Sequence, residues 1–164
     1  MVTPNAEFAK EMADAGCEGA KLCFQCGTCT ASCPSGRLTS YRIRKLIRQT
    51  QLGLKEVIVE GNDLWDCTTC YACEERCPRD VPIVDIIISL RNIAVAEGHM
   101  FDGHKATAKS FYSTGHTVSF NDKVKTQRDA LGLSGMPPTV LGNSKAMEDL
   151  KKILDATNFN TIVE

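Results

Sequence analysis

The sequence predicts a mainly α-helical protein, and three observations lead there. Apolar residues recur at helical period from Pro82 to Glu97, where Ile83, Ile86, Ile87, Leu90, Ile93 and Ala94 make a continuous stripe. The long stretch from Pro34 to Asp66 also reads at helical period, with Ile43, Leu46 and Ile47 on one side. Between and around these helices, eight of the nine cysteines fall into two copies of one pattern, C-x2-C-x2-C-x3-C-P.

Taken in order, the chain opens with a short helix. Thr3 is placed to cap it, Pro4 suits its first position, and Gly16 suits its exit. Phe8 and Met12 share a face with Ala9 and Ala13. Cys17 follows, outside both motifs, and reads as a small buried apolar residue. The first motif is Cys23, Cys26, Cys29 and Cys33, then Pro34. Thr39 or Ser40 is expected to cap the next helix, and Gly53 to end it. A short apolar segment, Leu54 to Val59, follows, and Asn62 is expected to cap a helix leading into Cys67. The second motif is Cys67, Cys70, Cys73 and Cys77, then Pro78. The strongest helix, Pro82 to Glu97, comes next and Gly98 stops it. Residues 99–164 form an extension with turn-rich stretches at Gly132 to Pro138 and at Gly142-Asn143. Phe101, Phe111, Tyr112 and Phe120 are its apolar anchors. Ser144 begins an amphipathic helix, Ala146 to Ala156, with Met147, Leu150, Ile153 and Leu154 on one side. The expected division is residues 1–98 as the cysteine-bearing domain and 99–164 as an extension packing on it or on partner subunits.

The cysteine spacing specifies the chemistry. It is the spacing of a bacterial-type ferredoxin carrying two [4Fe–4S] clusters. Three cysteines two residues apart wrap one cubane, because so short a loop turns its side chains inward together. The fourth stands before a proline, where a fixed φ and a missing N–H turn the chain away. In the two-cluster pattern that fourth cysteine ligates the other cluster. Cys23, Cys26, Cys29 and Cys77 are therefore assigned to cluster 1, and Cys67, Cys70, Cys73 and Cys33 to cluster 2. Because four thiolates saturate each cluster, no open position is left for substrate, and no catalytic residue is expected on this chain.

Other chemistries fit less well. Structural zinc usually takes two separated ligand pairs, often with histidine, and neither motif contains one. A disulfide framework would leave one cysteine over, and Met1-Val2-Thr3-Pro4 shows no secretory character. The composition suits a reduced, cytoplasmic setting. A net charge of -1 gives no basic excess for nucleic acid. The most apolar stretch, Val81 to Leu90, is short and broken by Pro82 and Asp85, so no membrane insertion is expected. His99, His104 and His116 are irregularly spaced and read as surface or satisfied side chains.

Charge is segregated locally. Arg37, Arg42, Arg44, Lys45 and Arg48 lie in a run without acids, whereas acids outnumber bases from Glu60 to Asp85. The basic run reads either as a solvated helix face or as a docking surface beside a cluster. Gly27 lets the backbone approach cluster 1 closely, and Ala72 is taken as its counterpart in the second motif. Glu74 and Glu75 are expected to hold cluster 2 at the lower potential.

The run Cys23-Phe24-Gln25-Cys26-Gly27-Thr28-Cys29-Thr30-Ala31-Ser32-Cys33-Pro34 resembles the first motif of the iron–sulfur C subunit of heterodisulfide reductase. Trp65-Asp66-Cys67-Thr68-Thr69-Cys70-Tyr71-Ala72-Cys73-Glu74-Glu75-Arg76-Cys77-Pro78 resembles its second. The likeness extends from Cys17 to Gly98, and the Met136-Pro137-Pro138 turn is compatible with it. The resemblance implies an α-helical ferredoxin domain in a methanogenic archaeon or related anaerobe. It implies two [4Fe–4S] clusters that relay electrons between two other subunits of heterodisulfide reductase. The donor is the bifurcating subunit, which carries FAD and iron–sulfur clusters, and the acceptor is the catalytic subunit. The catalytic subunit reduces the mixed disulfide of coenzyme M and coenzyme B, and a hydrogenase or formate dehydrogenase is a further partner in a larger complex. The chain has no adjacent cysteine pair, so it does not resemble a fusion with the catalytic subunit. A free ferredoxin carrier, or a zinc-stabilised binding module, are the alternatives left by the residues themselves.

Overall fold

Local helix signals are taken up throughout the chain. In the computed structural model, which describes residues 3–118 and 120–163, every regular element is helical and no strand occurs among the described residues. Met1, Val2, Ser119 and Glu164, including the outermost residues of both expected domains, lie outside the described residues. The chain divides into two compact units, Met1–Met100 and Phe101–Glu164.

In the first unit, α1 spans Ala6–Asp14 and buries Phe8 and Met12. Its cap is Asn5, not Thr3. The Asn5 carboxamide oxygen accepts the Glu7 N–H at 2.9 Å, so the helix starts after Pro4 rather than on it. Two short helices, α2 (Thr28–Ser32) and α3 (Ser35–Leu38), follow within and just after the first cysteine motif. The main helix of the insert, α4 (Ile43–Gln51), buries Ile43, Leu46, Ile47 and Thr50. Neither Thr39 nor Ser40 caps it. Arg42 stands at its N-cap in extended conformation, and Thr30 of α2 reaches across to accept the Arg44 N–H at 2.9 Å. Thr39 instead accepts the Tyr41 N–H at 3.1 Å. A distant hydroxyl has replaced the local one, and that ties α4 to the cysteine loop.

Gly53, at φ 68, turns the chain into α5 (Lys55–Val59), whose Ile58 and Val59 are buried. Residues Asn62–Asp66 form a 3-10 turn rather than a capped α-helix. Gly61 holds the cap position, and no side chain bonds there. Helix α6 (Ile83–Ala96) follows the sequence closely, with Gly98 at φ 85 just beyond it. It buries Ile83, Val84, Ile86, Ile87, Leu90 and Ala94, while Ile93 packs at the margin. At about 1.5–3 kcal/mol for each large aliphatic side chain removed from water, α6 contributes more apolar stabilisation to this unit than any other element. Lys55 ties three elements together, pairing with Glu11 of α1 at 2.8 Å and with Glu97 at the end of α6.

The second unit contains more helix than its composition promises. It comprises α7 (Asp102–Thr114), α8 (Asp122–Ala130), α9 (Ser144–Ala156) and α10 (Phe159–Val163). Helices α8 and α9 are capped alike, Asn121 accepting the Val124 N–H and Asn143 the Ala146 N–H. Phe111 meets Phe159 edge to face at 6.1 Å, and Tyr112 donates to Asp155 at 3.0 Å. Two expected apolar contacts are corrected: Phe101 is half-exposed, and Ile153 of α9 is 61% exposed while Leu154 is buried.

Candidate functional site

Each cysteine motif reverses direction twice, at matching positions. Gln25 and Thr69, just before the second cysteine of each motif, have φ of 66° and 51°. Gly27 and Tyr71, just after it, have φ of 91° and 61°. The counterpart of Gly27 is therefore Tyr71, not Ala72. A left-handed conformation costs an L-residue about 1–2 kcal/mol. The motifs accept that cost at Gln25, Thr69 and Tyr71, and so converge their thiols within a short loop. Backbone amides then point at sulfur: Thr69 N–H to Cys67 Sγ at 3.5 Å, Gly36 N–H to Cys33 Sγ at 3.3 Å, and Val81 N–H to Cys77 Sγ at 3.4 Å.

The fold sorts the cysteines across the motifs. Cys23, Cys26, Cys29 and Cys77 line one cavity, together with Gly27, Arg44, Ile47, Pro78, Val81 and Ile83. Cys33 and Cys73 lie with Tyr41 in the buried cluster, Cys67 packs against it, and these three sulfurs act electrostatically on the Tyr41 phenol. Cys29, Cys33 and Cys73 are buried, whereas Cys26 and Cys70 are exposed. Burial pushes the Cys73 thiol up to about 12, and the nearby Cys67 sulfur adds to the effect. Burial also raises Cys29, whereas the Thr28 hydroxyl beside Cys26 lowers that exposed thiol. Cys29 and Cys73 belong to the same buried cluster, and Cys29 adds to the rise of the Cys73 thiol.

Several positioning residues carry no motif signal. Gln51, at the end of α4, donates its amide to the carbonyls of Ala20 and Cys23 at 3.0 and 2.8 Å. Arg91, inside the apolar α6, does the equivalent for the second motif. It donates to Leu64 O at 2.8 Å and Cys67 O at 2.6 Å, and its guanidinium lies 5.6 Å from the Trp65 ring centre. Both motifs are thus gripped by a long side chain at their first cysteine. The one available hint is a second charged residue, after Asp85, within the mostly apolar α6. Ser35 adds a hydrogen bond to Asp66 O at 2.7 Å, linking the exit of one motif to the entry of the other.

The charged residues are partly committed to this scaffold. One guanidinium nitrogen of Arg42 donates to the carbonyls of Gly36, Thr39 and Tyr41 at 2.8, 2.9 and 2.7 Å. Lys45 pairs with Asp63 at 3.1 Å. Arg44 borders the cavity of Cys23 and also an outer cleft with Gln25, Thr30, Arg42, Lys45 and Arg48. Glu74 accepts the Val84 N–H at 2.9 Å, so its charge meets the start of α6. Cys17 is buried beside the Asp85 carbonyl. His104 packs edge-on to Phe101 and His116 to Phe120.

These features fit iron–sulfur clusters. The donors are all soft thiols. Four of them converge from two segments on one cavity, and amides are already directed at sulfur. Residues 19–81 match the model of the 4Fe-4S dicluster domain, and the protein accordingly carries two [4Fe–4S] clusters. The chain is 46% identical over 157 residues to the C subunit of the H(2):CoB-CoM heterodisulfide,ferredoxin reductase of Methanothermobacter marburgensis, covering 96% of this chain and 85% of that one. It is 45% identical over 143 residues to the iron-sulfur C subunit of the CoB–CoM heterodisulfide reductase of Methanopyrus kandleri, covering 87% and 74%. It is 42% identical over 141 residues to the C subunit of the ferredoxin/F(420)H(2)-dependent CoB-CoM heterodisulfide reductase of Methanosarcina acetivorans, covering 86% and 87%. An all-helical fold, two four-cysteine motifs and likeness along most of its length together place this iron–sulfur electron-transfer chain in the family of heterodisulfide reductase C subunits.

Proposed function

We propose that this chain is the non-catalytic relay of a heterodisulfide reductase complex, passing single electrons from a flavin-containing subunit to the catalytic subunit in methanogenesis. Cys23, Cys26, Cys29 and Cys77 hold cluster 1, and Cys67, Cys70, Cys73 and Cys33 hold cluster 2. The observation that carries this reading is the cavity in which Cys77 joins the three cysteines of the other motif. The gathering of Cys33 with Cys67 and Cys73 around Tyr41 supports it from the opposite side. When bound, each cluster accepts and releases one electron. The protein's own contribution is to keep the inner thiols of both groups adjacent and dry, while leaving Cys26 and Cys70 near the surface where partners reach them.

Among the described residues no helix is long and apolar enough to cross a membrane. We assign the complex to the cytoplasm, residues 1–98 to the cluster domain and 99–164 to an extension for partner subunits. A hydrogenase or formate dehydrogenase completes the larger assembly.

The ligand assignment is tested with Cys77→Ser in the anaerobically purified full chain. Cluster 1 should be lost or altered although Cys77 belongs to the second motif, and cluster 2 should keep its paramagnetic resonance signal. Iron should fall from about eight to about four per chain, as expected for two cubanes reduced to one. Loss of cluster 2 instead would overturn the crossed assignment. The relay is tested by co-purification of a tagged chain. The flavin-containing and catalytic subunits should both be recovered, and the reduced flavin-containing subunit should pass electrons to the catalytic one only when this chain is present. Equal transfer without it would refute the relay.

A further inference from the structure

Tyr41 is fully buried, yet its hydroxyl has no hydrogen-bond partner. A buried hydroxyl without a partner is destabilising, and phenylalanine would fill the same space without that cost. The ring is held firmly from both sides of its backbone. The Tyr41 N–H donates to Thr39 and its carbonyl accepts from Arg42. Cys33 and Cys73 share the buried cluster of Tyr41, Cys67 packs against that cluster, and all three sulfurs interact electrostatically with the phenol, Cys67 most strongly. A phenol carries its proton near neutral pH, so the hydroxyl is available as a donor.

The other cysteine group has no such feature. Tyr41 stands eight residues after Cys33, and eight residues after Cys77 stands Asp85, which is exposed. The Cys23 cavity is walled instead by Ile47, Val81 and Ile83, with Arg44 at its edge. The two halves share a repeated motif but differ in this one buried donor.

We propose that the Tyr41 hydroxyl donates a hydrogen bond to Cys67 Sγ of cluster 2 and raises the reduction potential of that cluster alone. This rests on the ligand assignment above. A hydrogen bond to a thiolate sulfur disperses its negative charge, and the gain is larger when the cluster takes up an electron. The effect opposes the lowering expected from Glu74 and Glu75, and Glu74 is already engaged with the start of α6. Tyr41 is thus a positioning and tuning residue, one that sets the driving force between the two clusters without touching a substrate.

The test is Tyr41→Phe in the full-length, cluster-loaded chain, with the signal of cluster 2 identified as the one that survives in Cys77→Ser. Both clusters should assemble. At a fixed poise the reduced-to-oxidised ratio of cluster 2 should fall roughly tenfold, about 59 mV for a one-electron couple, with cluster 1 unchanged. Pulsed paramagnetic resonance of the unaltered protein after a brief soak in deuterated water gives a second readout. The exposed Thr69 amide on Cys67 Sγ exchanges as well, so two deuterons should couple to cluster 2, and the second coupling should vanish in the phenylalanine variant. An unshifted potential, an equal shift in both clusters, or a second coupling that persists without the hydroxyl overturns the proposal. If Tyr41→Phe does not fold, lack of a second coupled deuteron in the unaltered protein overturns it as well. Failure of the ligand assignment looks different: Cys77→Ser would then remove the signal of cluster 2.

Discussion

Gly19→Ala should open the cluster 1 site from behind. Gly19 lies in the 3-10 turn Glu18–Leu22 that delivers Cys23. A Cβ there would meet Pro82 Cδ at 2.5 Å and Cγ at 2.9 Å. An ordinary carbon contact needs about 3.5–4.0 Å, so the two segments must part by about 1 Å. The proline ring has no rotamer that moves it aside. It also follows Val81, whose N–H donates to Cys77 Sγ at 3.4 Å. The displacement therefore acts on Cys23 and Cys77, two walls of the same cavity. Overpacking of this kind costs about 1–3 kcal/mol. For a unit of this size that lowers the apparent unfolding temperature by roughly 10 °C. The assay is anaerobic thermal unfolding of the loaded protein, with spin quantitation of each cluster. Cluster 1 should be depleted and cluster 2 retained. Gly142→Ala, where nothing lies within 4 Å, serves as the neutral control. Adding Pro82→Ala to Gly19→Ala removes the opposing ring and should restore more than half of the loss. Unfolding at the wild-type temperature with both clusters intact, or no recovery in the double variant, would refute the close-approach argument.

Two further outcomes are expected. Arg44→Glu with Lys45→Glu should slow association with the partner subunits about tenfold at low salt, and the deficit should shrink as ionic strength rises; association rates unchanged across the salt series would remove the docking role of the outer cleft. Lys55→Met should lower stability at neutral pH, at about 0.2–1 kcal/mol for each lost pair with Glu11 and Glu97. Hydrogen bonds donated to Glu11, then to Glu97, raise the Lys55 pKa in the folded state, so this stabilisation is complete below the ordinary lysine value and is lost as pH rises through the raised one. Unfolding of the variant and the wild type should therefore converge only in strongly alkaline solution, and convergence already near neutrality would contradict the pairing.

What the sequence revealed and what it hid differ in physical kind. Helix α6 was legible because six buried side chains repeat at one period over fourteen residues. The cysteines were legible because their spacing is local. Helices α2 and α3, of five and four residues, are too short for periodicity to register. In α7 and α8 no residue is buried, so no apolar stripe was there to read. The caps failed for a different reason: Thr30 serves α4 from fourteen residues away, and spacing rules see only neighbouring hydroxyls. Gln51, Arg91 and Tyr41 were hidden in the same way, because each acts on a cysteine segment far along the chain.

That contrast explains how one motif used twice yields two unlike sites. The repeat supplies equivalent turns, at Gln25 and Gly27 in one copy and at Thr69 and Tyr71 in the other. It also receives equivalent grips, from Gln51 on the Cys23 carbonyl and from Arg91 on the Cys67 carbonyl. Equal geometry alone would give two clusters of similar potential and no preferred direction of transfer. The asymmetry comes from side chains outside the repeat, Arg44 at the edge of one cavity and Tyr41 buried among the sulfurs of the other. Ligand residues fix which cofactor is held, whereas the surrounding fold adjusts the energy of each electron upon it. Exchanging the tuning residues while leaving every cysteine in place should therefore change the gap between the two potentials without changing the metal content.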